Sequence, residues 1–359
     1  MRLETKTVTI LMCTALAFAL GSCTKKTITP AEDPQPAEVG FTAASQAVWV
    51  KGGETPTTSF PYDNFGVWGI ARHQYVESPY ILWSTNQLIE VSAPEGTSTN
   101  QETSNVVFTP ATAAYWLGGY EYSFLAIAPY ADAGFTLVGI TQASGSNTSD
   151  SMSFTYDMTR KYENPNTYTF DLLGGVSKTD GPVAGGRTSE QELTFWHLLS
   201  QISFELKFGT DSKGQQIDGI IKAVRLSLKP KATYSMSYNA ESTQLTNPLH
   251  VSAATTASPA AKTLTFTANA ATYNVGPINI VPQTPADLTL SVDFTIKESE
   301  AVSVDYSLNI DLAAAQIPER YLSNSRYNYK ITIGTNASIS FNVTVNQDWT
   351  KEDDEMDMI

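Results

Sequence analysis

The sequence predicts an all-β protein whose antiparallel sheets pack as sandwiches. Apolar and polar residues alternate with period 2 through several runs, and no long segment carries a convincing 3.6-residue period. Gly, Ser, Thr and Asn stretches separate the runs. A strand with one apolar and one polar face suits a sheet that covers a core on one side and meets water on the other. The chain has 359 residues, and at roughly 150 residues per domain this length predicts about two such domains in tandem.

The chain opens with a short, net-positive start that carries Arg2 and Lys6 against Glu4. An apolar run over 8–20 follows, too short to span a bilayer and fitting the apolar core of a signal peptide. It ends in Leu20, Gly21, Ser22 and Cys23, which resembles a bacterial lipobox. Residues 1–22 are therefore read as a lipoprotein signal peptide, with Cys23 as the acylated residue. Several acyl chains make a stable anchor, at about 0.8 kcal/mol per buried methylene. Residues 23–37, with Pro30, Pro34 and Pro36, read as an extended tether without a core face.

In the folded body, 65–70, 120–129 and 167–173 read as strands, with short helical turns expected at 112–117 and 190–201. Later runs are clearer: Ile202, Phe204, Leu206 and Phe208 alternate with polar residues, as do residues 288–296 and 302–312. The last two are close enough to form a hairpin. Residues 327–333 and 339–345 give two more strands. The Gly-rich polar stretch 174–189 sets the expected boundary, with an N-terminal sandwich over 38–188 and a C-terminal one over 189–359.

Composition narrows the function. Charged residues are 16% of the chain, below the roughly 25% of average soluble proteins, while 42% hydrophobic residues supply a sizeable core. The net charge is -14, and -15 once the signal's +1 is removed, which repels nucleic acid and anionic membranes. Both cysteines lie in the first 23 residues, so the body has no disulfide framework and no thiolate nucleophile or ligand. His73, His197 and His250 lack metal-ligand spacing, and no nucleotide-binding or hydrolase motif occurs, so neither cofactor nor catalytic residues are expected. His197, between Trp196 and Leu198, reads as a hydrogen-bonded structural residue. Residues 352–357 read as a solvated acidic tail. Asp150, Ser151 and Met152 fit a short O-glycosylation pattern in a polar loop.

Several segments resemble the fimbrillin family, the pilins and tip adhesins of type V pili in Bacteroidales-type bacteria. Asp171-Leu172-Leu173 precedes a polar stretch and then Leu193, Phe195, His197, Leu199 and Ile202, matching a family pattern. Ile280-Val281-Pro282-Gln283 before a strand is a second match, and Ile317-Pro318 followed by Tyr327, Tyr329 and Ile331 a third. Trp116 with residues 122–129 and the closing Asp348-Trp349 complete the likeness over roughly 38–350.

The resemblance implies two transthyretin-like β-sandwich domains and a non-enzymatic role as a fimbrial subunit or tip adhesin in cell adhesion. It also implies an outer-membrane, surface-exposed lipoprotein that joins other pilin subunits by donor-strand exchange. In that scheme a trypsin-like protease removes the first strand, and a partner's strand fills the opened groove. The segment 39–50 is the candidate removable strand, with Lys51, the only basic residue between Lys26 and Arg72, as the candidate cleavage site; the alternative is a permanent strand over 48–50 with Lys51 a solvated turn residue. The strand over 339–345 is read as the last of its own domain rather than a donated one. The alternative is a surface glycan-binding lipoprotein, with Trp68, Trp83 and Trp116 as its sugar-stacking residues.

Overall fold

The computed structural model describes residues 36–45, 60–97, 106–144, 149–184, 187, 189–238, 249–315, 320–335 and 338–346. Those from Ala37 onward belong to one compact unit. Among them are strands and four short 3-10 helices, and no α-helix.

The first strands are β1 (Phe41–Ser45), β2 (Asn64–His73), β3 (Tyr80–Ile81), β4 (Ile89–Ser92) and β5 (Thr109–Pro110). Next come β6 (Tyr120–Ala128), β7 (Phe135–Thr141), β8 (Ser151–Asp157), β9 (Leu173–Lys178) and β10 (Gln191–His197). The second half holds β11 (Ser200–Phe208), β12 (Gly219–Leu228), β13 (Lys231–Tyr238), β14 (Leu249–Thr255) and β15 (Lys262–Ala270). It closes with β16 (Thr272–Ile280), β17 (Thr289–Ser299), β18 (Val302–Ile310), β19 (Ser325–Ile333) and β20 (Ile339–Asn346).

These strands make four sheets. The largest has eight strands in the order β1-β10-β9-β6-β2-β4-β5, with β3 beside β2. The others are four-stranded: β14-β13-β8-β7, β16-β11-β19-β20 and β15-β12-β17-β18. Most pairings are antiparallel, as the alternation predicts. Two are parallel, β1 with β10 and β11 with β19. Both join strands far apart in sequence, as a parallel pair must, since it needs a long crossover.

One core runs through both halves. Alternate residues of β11 (Ile202, Phe204, Leu206, Phe208) meet those of β17 (Leu290, Val292, Phe294), with the Phe208 and Phe294 rings 5.8 Å apart. The same core continues to Phe154 and Tyr156 on β8, Tyr234 on β13, and Trp68, Ile70, Leu125 and Ile127 on one face of the large sheet. The other face of that sheet carries a second core of Phe65, Val67, Phe124 and Phe195. Strand β2 is thus buried on both sides, which explains its near-continuous apolar run.

Three local expectations are corrected. Residues 167–173 are not a strand: Pro165–Thr167 is a 3-10 turn, and the strand begins at Leu173. It runs through Gly174 and Gly175 into the polar stretch 174–189 read from sequence as a boundary. A Cβ on Gly174 would stand 2.8 Å from the Leu198 side chain, so glycine here permits close packing, and the alternation is lost with it. The helical turn expected at 190–201 is instead β10 and the start of β11, and 112–117 is non-helical, with Tyr115 bridged to Glu38.

Burial also fixes the state of the core tyrosines. It raises the pKa of Tyr156, Tyr162, Tyr234, Tyr321 and Tyr329 in each case as the leading cause. The Tyr321 and Tyr329 hydroxyls bond each other inside the core. Folded-state values above the unfolded value of about 10 mean that the stabilisation is intact below that pH. It is lost as pH rises past it, because the unfolded chain then releases protons the folded chain keeps. An alkaline titration is expected to show phenolate absorbance from these tyrosines rising together with loss of the β circular-dichroism signal. Their ionisation in a chain that keeps its β signal would contradict this account.

Candidate functional site

The feature that stands apart is β1. The eight-stranded sheet has β1-β10 at one end and β5 at the other, and β1 is bonded on both of its edges. On one side it runs parallel to β10, from Phe41 opposite Gln191 to Ser45 opposite Phe195, and the Gln191 amide donates to the Gly40 carbonyl at 2.9 Å. On the other side the Phe41 amide donates to the Phe108 carbonyl at 3.0 Å, and the Phe108 amide returns to the Phe41 carbonyl at 2.7 Å. The ladder extends through Val39 N–H to Ala114 O (2.8 Å) and Trp116 N–H to Ala37 O (3.0 Å). One short strand thereby closes the large sheet on itself.

Val39, Phe41 and Ala43 are buried, as alternation along an extended segment requires. The Phe41 ring packs edge-on against Phe124 at 5.1 Å and Phe65 at 6.1 Å. Phe60, Phe108 and Phe195 complete the cluster. Burial of Val39 and Phe41 stabilises by about 1.5–3 kcal/mol each. Without β1, this apolar face and two rows of main-chain donors and acceptors would meet water. At the rim, Arg187 stacks on Trp116 at 4.3 Å while bonding Gln191 Oε1 at 3.2 Å, tying the β9–β10 connection beside the closing strand.

Two matched segments meet next to this site. The Asp171 carboxylate bonds His197 Nδ1, and the Tyr62 hydroxyl donates to the Asp171 carbonyl at 2.6 Å. The Leu198 amide donates to the Leu172 carbonyl at 2.8 Å. His197 is buried in this bracket, in keeping with a structural role. His73 lies between the rings of Tyr75 and Tyr120, and His250 is exposed on β14. Among the described residues, no cluster of three or more His, Cys, Asp or Glu side chains is placed to hold a metal.

Cys23, Lys51 and the tail beyond 346 lie outside the described residues. Two further expectations are corrected. Trp68 and Trp116 are buried, so the proposed sugar-stacking set of Trp68, Trp83 and Trp116 forms no exposed platform; a large ring near an apolar strand packs inward. Asp150 is no loop residue open to modification. It is buried and paired with Arg72, whose Nη1 donates to Oδ2 at 2.8 Å, and Ser151 begins the interior strand β8.

The closing strand gives a direct expectation. Phe41→Ala removes the ring that fills the seam and is expected to cost about 3–5 kcal/mol. The exposed substitution Val302→Ala is expected to stay within about 0.5 kcal/mol of the parent. Urea unfolding midpoints check both.

Comparison with known proteins bears on this fold. A family model described as fimbrillin-like matches residues 62–349. Among solved structures, a fimbrial protein from Bacteroides vulgatus is similar at 14% identity and a TM-score of 0.50, over 87% of this chain and 99% of that one. The fimbrial anchor protein Mfa2 from Porphyromonas gingivalis is similar at 9% identity and a TM-score of 0.35, over 87% of this chain and 98% of its own. No curated protein matches in sequence. The family match begins just ahead of β2 and runs through β20, taking in every strand described above except β1, and the chain belongs to the fimbrillin-like family.

Proposed function

We propose that the protein is a fimbrial subunit or tip adhesin that acts in cell adhesion and assembles by strand exchange rather than catalysis. The carrying observation is the segment 37–45, bonded to β10 through 41–45 and to 108–116 through 37–41, and seated over an aromatic core. Cleavage at Lys51 and departure of β1 would expose a trench with free main-chain groups on β10 and on residues 108–114. An extended segment from another subunit satisfies both demands at once, through backbone bonds and alternate apolar side chains. The acidic body leaves little electrostatic attraction between like subunits, so the exchange rests on these two terms.

The finer architecture follows the same reading. The large sheet with β14-β13-β8-β7, and β16-β11-β19-β20 with β15-β12-β17-β18, act as two sandwiches of transthyretin-like topology. Acylated Cys23 anchors the precursor in the outer membrane, and residues 24–37 carry the body clear of it. The fimbrium at the cell surface is the destination.

Digestion with a Lys/Arg-specific protease tests the reading. A single new N-terminus after Lys51, with SDS-resistant ladders that Lys51→Ala abolishes, is expected of a polymerising subunit. A cut at Lys51 without ladders assigns the tip or another acceptor-only position. Resistance of Lys51 in a chain that stays monomeric removes the strand-exchange reading.

A further inference from the structure

A cleft of about 250 Å³ opens between β7, the end of β6 and the β3–β4 loop. Its walls are the side chains of Leu88, Ile127, Tyr130 and Phe135, and exposed Asn86 and Gln87 stand at the rim. We propose that this cleft binds one neutral sugar residue of a glycan. The inference is independent of strand exchange and stands whether or not β1 leaves.

The walls are built rather than incidental. The Tyr130 ring lies against Gly66 of β2, where a Cβ would stand 2.9 Å from a ring carbon, and the Tyr130 amide donates to Asn64 Oδ1 at 3.3 Å. The Phe135 ring rests on Phe154 at 5.1 Å, which stacks on Tyr234 at 5.0 Å with planes 4° apart. Both rings are therefore backed by the core, with little freedom to lose on binding. Ala131 at the lip holds φ at +57°, a conformation unfavourable for a non-glycine residue.

The lining chemistry selects the ligand class. Among the described residues, no Asp, Glu, Lys or Arg lines the cleft, and the chain's net charge of -14 repels an anionic ligand. Aromatic and aliphatic walls suit the apolar C–H face of a sugar ring. The two rim amides each offer a donor and an acceptor, the pairing that hydroxyl groups require. The volume lies just under the usual 300–1,000 Å³ of small-ligand pockets, room for one ring rather than a long chain. A peptide strand fits less well, because β7 shifts register between Leu137 and Gly139 and presents exposed Val138, and a bulged edge resists strand addition.

Saturation-transfer NMR on the full chain, with the methyl glycosides of glucose, galactose, mannose, fucose and N-acetylglucosamine, tests the proposal. At least one is expected to bind, with Asn86→Ala and Gln87→Ala each weakening it about fivefold, the loss of one hydrogen bond. Both residues are exposed, so the variants keep the fold, which circular dichroism checks. No binding by any of the five, or binding that both variants leave unchanged, overturns the proposal. So does tighter binding of sialyllactose, an acidic glycan, than of every neutral one.

Discussion

Main-chain hydrogen bonding at the seam of the large sheet is the constraint on which the rest depends. An open eight-stranded sheet ends in two rows of N–H and C=O groups that need partners. Here one extended segment, 37–45, serves both ends: β1 pairs with β10, and Ala37, Val39 and Phe41 bond residues 108–116. Its position places the Phe41 ring against Phe65 and Phe124, in a second core that Phe60, Phe108 and Phe195 complete. The same economy concentrates a large apolar area on a short ladder.

A second set of polar contacts joins the two halves of the core. Residues 168–170 have no sheet partner for their carbonyls, and buried Asn279 supplies one. Its side-chain amide donates to the Thr169 and Phe170 carbonyls at 3.2 and 3.1 Å, and its backbone amide to Tyr168 at 2.7 Å. Tyr162 donates in turn to the Asn279 carbonyl at 3.0 Å. Gln283, fully buried, accepts from the Lys229 amide at 3.0 Å and donates to Val281 at 3.1 Å. Each would leave an unpaired buried group if truncated, a loss of about 1–3 kcal/mol. The polar residues of the family-like segments, Asp171, His197 and Gln283, thus work as brackets for irregular backbone rather than as reactive groups.

Strands that bury one face were legible in the sequence. Those at 202–208, 289–310 and 325–333 stand close to where alternation puts them, hairpin included. Strands that break the pattern were not. In β9 the glycines that admit Leu198 and Phe195 remove the alternating side chains. In β10 both faces are buried at Phe195, Trp196 and His197, so the period vanishes and the segment reads as helical. Nothing local announces that β8 pairs with β13, some eighty positions later, or that β1 pairs in parallel with β10. The closing strand was legible as a strand, but its two-sided bonding belongs to the topology. The cleft was not legible at all, because residues 86–88 and 127–137 carry no shared motif and meet only across two sheets.

The eight-stranded sheet shares one core with a sheet of only four, drawn from both halves of the chain. Four strands, β14-β13-β8-β7, cannot cover one whole face of eight. On the side of β1, the large sheet answers by closing on itself, and its second face becomes the inside of a closed structure filled with phenylalanines. On the side of β7 the smaller sheet ends, and the cleft opens beside Leu88, Tyr130 and Phe135 while Ile127 beneath it stays buried. The large sheet thus ends in two ways, closing over phenylalanines through β1 and opening a cleft beside β7.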